Sequence, residues 1–356
     1  MKSFLATTAT AVIALAGAAM PAAAQERVTV GLPGAAWSVQ FAYYTYGEQL
    51  GFFREEGIDA LEYVSVSGSA VLLPQVANNQ VQFGYANPDL AVIAASRGEP
   101  LPVTFVVNWL RSQTFEFVTL EDSPVTELAD LAGGKLGVGA LTWGNLPMSR
   151  AMLSSVGLRW NEDVEILPIG LGAAAWRRLE TGEVDAVNLF VGEHGRMEMA
   201  GIPIRRIPMP DQYRTIFSNG IVTNDTMIAE KPEIVEGFGR ALVKSWIACK
   251  ANTEACVRAF WETNPAAAPA AGDEAAQLER DMQQVMFDIN QIDDFTVGGP
   301  DLYGYYPEDA WERLIEVMAN DGEIDNTDFD RGLLFTNRFA EAFNDFDAEA
   351  VAAAAE

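Results

Sequence analysis

The chain has 356 residues, 49% of them hydrophobic, and a formal net charge of −27. So acidic a chain repels nucleic-acid phosphate at long range, which argues against a nucleic-acid partner. The hydrophobic share is ample for buried cores, and the length suggests about two domains at roughly 150 residues each.

Residues 1–24 read as a secretory signal peptide. Lys2 precedes the apolar run "FLATTATAVIALAGAAM", and small residues at Ala22 and Ala24 place the cut before Gln25. The run is too short and too rich in Ala for a membrane anchor, and Gln in place of Cys argues against a lipid anchor. No later stretch reaches the roughly 18 consecutive apolar residues of a membrane span. An exported, soluble protein is expected.

"RVTVGLPG" predicts a strand over Val28 to Leu32. Tyr43, Tyr46, Leu50 and Phe53 then recur at helical spacing. "IDALEYVSV" is a second strand, and Ser67 or Ser69 caps the helix of "SGSAVLLPQVANNQ". "VQFGYAN" and "LPVTFVVNWL" are the third and fourth strands, with "PDLAVIAASRG" as the helix between them. The rhythm restarts beyond "SPVTELADLAGGKLGVGA". "VEILPIG" and "VDAVNLF" read as strands, and "AAAWRRLETG" and "VGEHGRMEMAG" as helices. "TIFSNGIVTN" is an extended return. From Asp225 onward the pattern is mostly helical, including "RGLLFTNRFAEAFND". Strands alternating with helices imply βαβ units and mainly parallel sheets.

Cys249 and Cys256 are the two cysteines. An unbroken helix would hold their Cα atoms about 10 Å apart, too far for a disulfide. A break at "ANTE", with Asn252 or Thr253 capping a fresh helix, would let the sulfurs meet, and an exported compartment permits the bond. The spacing alone leaves the pairing open. Two Cys and the single His194 cannot make a closed metal site, and no cofactor motif is present: "DLAGGKLGVG" lacks the phosphate-loop spacing. His194 reads as a surface histidine.

Open parallel sheets bind ligands beyond the carboxyl ends of their strands. That rule selects Trp37 after the first strand, Ser67, Gly68 and Ser69 after the second, Asn87 after the third and Trp109 after the fourth. In the second unit it selects Trp143, Asn145, Phe190 and Glu193. Ser67-Gly68-Ser69 can aim backbone N–H groups and hydroxyls at a ligand, with Gly68 allowing close approach. The alternative reading is an ordinary N-cap serine. The aromatics supply flat stacking faces worth up to about 4–6 kcal/mol each by area, or else pack loop against sheet. Glu193 would favour an amine-bearing ligand, unless it is a solvated residue in the first turn of a helix. Arg111 argues the other way, for a carboxylate or sulfonate, unless it is a structural ion pair.

The motifs "YGEQLGFFREEGID", "VANNQVQFGYAN", "ELADLAGGKLGV", "WRRLETGEVDAV" and "NDTMIAEKPEIVEGFGRALVKSW" occur in an order that resembles the periplasmic substrate-binding proteins of ABC importers. The resemblance is to the nitrate, taurine, alkanesulfonate and thiamine-pyrimidine-precursor type, and spans about residues 28 to 262. It implies a type II two-lobed α/β fold, each lobe a mainly parallel sheet flanked by helices, with two crossing hinge segments. Lobe 1 is then 27–113 plus 224–356, and lobe 2 is 114–223. It also implies a periplasmic monomer that delivers a small molecule to an inner-membrane permease, without catalysis. The ligand expected is aromatic or heteroaromatic, with or without an amine; the alternative is a small anion such as a sulfonate, taurine or nitrate. Fungal pyrimidine synthases share the resemblance, but their cysteine-rich iron motif is missing here. A ligand sensor is the third reading.

Overall fold

The computed structural model describes residues 26–33, 38–270 and 272–355. The expected signal peptide therefore lies outside the described residues.

Among the described residues ten strands form two sheets. The first contains β1 (Glu26–Pro33), β2 (Ile58–Val66), β3 (Phe83–Ala86), β4 (Val103–Val107) and β10 (Gly220–Asn224), in the order β2-β1-β3-β10-β4. The second contains β5 (Phe115–Leu120), β6 (Lys135–Val138), β7 (Glu165–Pro168), β8 (Ala186–Phe190) and β9 (Ile204–Arg206), in the order β7-β6-β8-β5-β9. In each sheet one strand runs against the rest: β10 is antiparallel to β3 and β4, and β5 to β8 and β9. β3 and β4 are fully buried runs, "FGYA" and "VTFVV", as strands covered on both faces require.

The chain leaves the first sheet after β4 and returns to it at β10. The two crossing spans hold each other: Leu110 N–H donates to the Asn219 carbonyl at 2.8 Å, and Ser218 N–H to the Leu110 carbonyl at 2.9 Å. Beyond the spans, one continuous buried cluster contains Leu72, Phe105 and Val222 from the first sheet and its helix, together with Phe117, Leu136 and Val138 from the second.

Two expectations change. β5 and β9 go unpredicted: β5 follows directly on the outward crossing, and the three residues of β9, "IRR", carry no alternation at a sheet edge. "RGLLFTNRFAEAFND" is not one helix. Phe105 N–H donates to the Leu334 carbonyl and Thr336 N–H to the Phe105 carbonyl, so the segment lies along β4 and only Ala340–Phe343 is α-helical.

Cys249 and Cys256 are disulfide-bonded, with their Cα atoms 5.1 Å apart. The helix Pro232–Ala251 ends at Asn252, whose side chain accepts from Ala255 N–H and opens the helix Thr253–Thr263. That break is what brings the sulfurs together. Among the described residues no helix is long and apolar enough to cross a membrane, and no group of three or more His, Cys, Asp or Glu is placed to hold a metal ion.

Candidate functional site

A cavity of about 560 Å³ lies between the two sheets, lined from both. From the first sheet come Val66 to Ser69, Tyr85 and Asn87; from the second come Trp143 to Asn145, Gly170 to Gly172 and Phe190. These are residues at or just past the carboxyl ends of β2, β3, β6, β7 and β8. The volume is within the roughly 300–1,000 Å³ of small-molecule pockets.

Aromatic rings dominate the walls. On the side of the first sheet Phe41 and Tyr85 meet edge to face, their centroids 5.5 Å apart. On the other side Trp143 lies 5.8 Å from Phe115 and 6.2 Å from Phe190. Trp176 completes the lining. Trp143 is seated by Gly139, where any Cβ would overlap the indole. Such faces suit a flat, π-rich guest.

The predicted site residues divide into those that line this cavity and those that do not. Ser67, Gly68, Ser69, Asn87, Trp143, Asn145 and Phe190 all line it. Trp37 lies outside the described residues. Trp109 is buried in the core, its ring 5.6 Å from Tyr43 and 6.1 Å from Trp246. Arg111 is equally buried and donates to the carbonyls of Asp294, Leu302 and Gly298, so it ties down a loop. It does not face the cavity.

Glu193 lies just behind the wall, fully buried, and its carboxylate is committed inside the protein. It accepts from Gly172 N–H at 2.5 Å, from Trp176 Nε1–H at 2.6 Å and from Arg196. The expected free carboxylate facing an amine is therefore not Glu193. His194 is not a surface residue: it is buried, with Nδ1 3.2 Å from Glu116 Oε2, and burial pushes the imidazole below its ordinary value.

The Ser67–Ser69 loop departs from expectation in its cap: the helix Ser69–Ala77 starts from Gly68, and neither serine side chain caps it. Ala70 N–H donates to the Thr142 carbonyl, Thr142 Oγ1–H to the Ser67 carbonyl at 2.5 Å, and Asn87 N–H to Ser69 Oγ at 3.0 Å. Gly68, with φ +137°, allows a close approach to the opposing loop: a Cβ there would strike the Thr142 carbonyl. The loop thus bridges the two sheets at the mouth of the cavity.

The charged lining groups are Arg196 and Asp288. Burial pushes the Asp288 carboxyl up to about 6, while Thr114 Oγ1, 3.4 Å away, and the charge of Arg196 draw it back. Several lining residues escaped the strand-end rule. Gly170 to Gly172 sit just past β7, so the same rule applied there finds them. Trp176, Arg196 and Asp288 sit within or after helices and carry no local signal.

The fold is that of periplasmic binding proteins, a class of two sheets flanked by helices with a cleft between them. Residues 38–255 match the NMT1/THI5-like family model, so the chain belongs to the NMT1/THI5-like family. It is similar to the riboflavin-binding protein RibY of Chloroflexus aurantiacus, 23% identical over 303 residues that span 85% of this chain and 83% of that protein. In structure it is similar to a protein of Bordetella bronchiseptica RB50, with a TM-score of 0.66 and 18% identity, covering 89% of this chain and 96% of that one. It also resembles the putative periplasmic sulfonate-binding protein SsuA of Methylobacillus flagellatus KT, with a TM-score of 0.57 and 17% identity over 90% and 94% of the two chains.

Proposed function

We propose that the protein is the extracytoplasmic solute-binding component of an ABC importer. In this reading two lobes, residues 27–113 with 224–356 and residues 114–223, close around a flat aromatic or heteroaromatic molecule and hand it to a permease. No bond is made or broken. The observation that carries the reading is the pair of aromatic walls, Phe41 with Tyr85 against Trp143 with Phe115 and Phe190, around one cavity.

Charge supports the same choice. Arg196 is paired with buried Glu193 and shares the lining with Asp288, so the site offers no surplus of positive charge to a sulfonate or nitrate. The likeness to a riboflavin-binding protein makes riboflavin the first compound to try. Asp288, and not Glu193, is the carboxylate available to an amine on the ligand.

A thermal-shift panel tests the reading, with riboflavin, pyrimidines, aromatic acids and amines set against taurine, alkanesulfonates and nitrate. A ligand at 100 times its dissociation constant adds about 2.7 kcal/mol of stability. Stabilisation by an aromatic compound is expected; a shift with taurine, sulfonate or nitrate alone would refute the reading.

A further inference from the structure

Asp288 occupies the N-cap of the short helix Ile289–Ile292, where an aspartate ordinarily accepts from the first N–H groups of its own helix. Its side chain makes no such cap bond. Oδ1 takes the Thr114 hydroxyl instead, at 3.4 Å, and among the described residues no ion pair and no other hydrogen bond reaches the carboxylate. The residue is half-buried and lines the cavity, as Thr114 does. Oδ2 has no protein partner, and it is not one of the polar atoms that packing has sealed away without one, so it keeps open surface.

The carboxylate stands between the two walls. On the side of the first sheet, burial and then the charge of Asp288 raise the Tyr85 hydroxyl above its ordinary value. Tyr43, on the helix Ala42–Gln49, feels the same charge behind burial and its tyrosine neighbours. From the other side, Thr114 and Arg196 are the groups that draw the raised carboxyl back down. Arg196 brings little free charge, because its Nη2 donates to the fully buried Glu193. Of the two charged lining residues, Asp288 is therefore the one without an ionic partner. An enclosed carboxylate lacking a counter-charge is costly, and a bound cation that supplies one offsets that cost. The faces of the surrounding rings attract the same charge.

We infer that Asp288 is the specificity-determining residue of this site, and that it selects an aromatic ligand carrying a positively charged nitrogen, an ammonium or amidinium set against Oδ2. The inference rests on the aromatic-ligand reading above and adds the sign of the ligand's charge.

The test takes three ligands of one shape and different charge: naphthalen-2-ylmethylamine, naphthalen-2-ylmethanol and naphthalene-2-carboxylate, by isothermal titration of the protein. At about pH 7.5 the amine is expected to bind about tenfold or more tighter than the alcohol, with the carboxylate weakest. Asp288→Asn keeps the shape and an acceptor for Thr114 but loses the charge. It should cut the amine's affinity about tenfold or more and leave the alcohol's unchanged. The wild type should also lose amine affinity as the pH falls from about 7.5 to about 5, because its carboxyl, raised to about 6, takes up a proton there while the amine stays charged. Asp288→Asn should show no such slope, and the wild-type pH series decides the matter if that variant does not fold. An amine that binds no tighter than the alcohol, an advantage that survives in Asp288→Asn, or a flat wild-type pH series overturns this inference and leaves the aromatic reading standing. Failure of all three ligands to bind also overturns it, and reaches the aromatic reading only if no aromatic compound in the thermal-shift panel stabilises the protein.

Discussion

The backbone N–H of Ala70 donates to the carbonyl oxygen of Thr142 at 3.2 Å, joining the first turn of the helix after β2 to the loop after β6. This bond crosses from one sheet to the other at the rim of the cavity. With it go the Thr142 hydroxyl on the Ser67 carbonyl and Gly144, where a Cβ would lie 2.5 Å from Ser69 Oγ and 2.9 Å from Asn87 Cβ. The rim is built for contact between loops, and small residues at 68 and 144 make the approach possible.

Gly68→Ala should therefore weaken ligand binding about tenfold or more. The substitution strains a backbone at φ +137° and pushes a methyl against the Thr142 carbonyl in the closed arrangement. Titration calorimetry on the variant measures this. Unchanged affinity would mean that the loops need not meet for the ligand to be held.

Two tryptophans should respond oppositely. Trp143→Ala removes a half-buried ring from the cavity wall and should lower affinity for the best aromatic ligand about tenfold or more, with modest loss of stability. Trp109→Ala empties a core site against Tyr43 and Trp246 and should cost about 3–5 kcal/mol of stability. Denaturant titrations and ligand titrations on the pair separate the two roles.

Asp89 links the helices Asp89–Ser96 and Leu146–Ser154 by accepting from Met148 N–H at 3.0 Å. Burial pushes its carboxyl up to about 8, with Glu323 adding to the rise and Arg150 opposing it. An acid raised in the folded state favours folding while protonated. Its contribution is full below the unfolded value of about 3.9 and is lost as the pH rises through about 8. Asp89→Asn keeps an acceptor for Met148 and cannot ionise. It should flatten this slope and be more stable than the wild type at pH 9 by more than about 1.4 kcal/mol, the worth of one pKa unit. Parallel slopes for the two proteins from pH 5 to 9 would count against it.

The disulfide joins residues seven apart across the Asn252 break. Closing so short a loop restricts the unfolded chain by about 2–3 kcal/mol. Reduction, or the double change Cys249→Ala with Cys256→Ala, should lower stability by about that amount and leave ligand affinity unaltered, because neither sulfur lines the cavity.

Much of the fold was legible because β-branched and aromatic runs alternate with helical spacings. "IDALEYVSV" coincides with β2, and the strand-end rule led directly to Trp143, Asn145 and Phe190 at the cavity. The rule failed at Trp109 because this ring turns back into the helices behind β4, a direction that spacing along the chain does not encode. Glu193 lies behind the cavity wall, not on it: its partners Gly172 and Trp176 are about twenty residues away in the chain and meet it only where two helices come together in the fold. Asp288 reaches the cavity from the largely helical last third of the chain, where no strand end points to it.

The central claim is tested most directly by a crystal structure of the protein with the compound that stabilises it most in the panel. The account predicts a planar ring system between the Tyr85 and Trp143 walls. A ligand bound outside this cavity, or an anion held at Arg196 without contact to the aromatic walls, would contradict it.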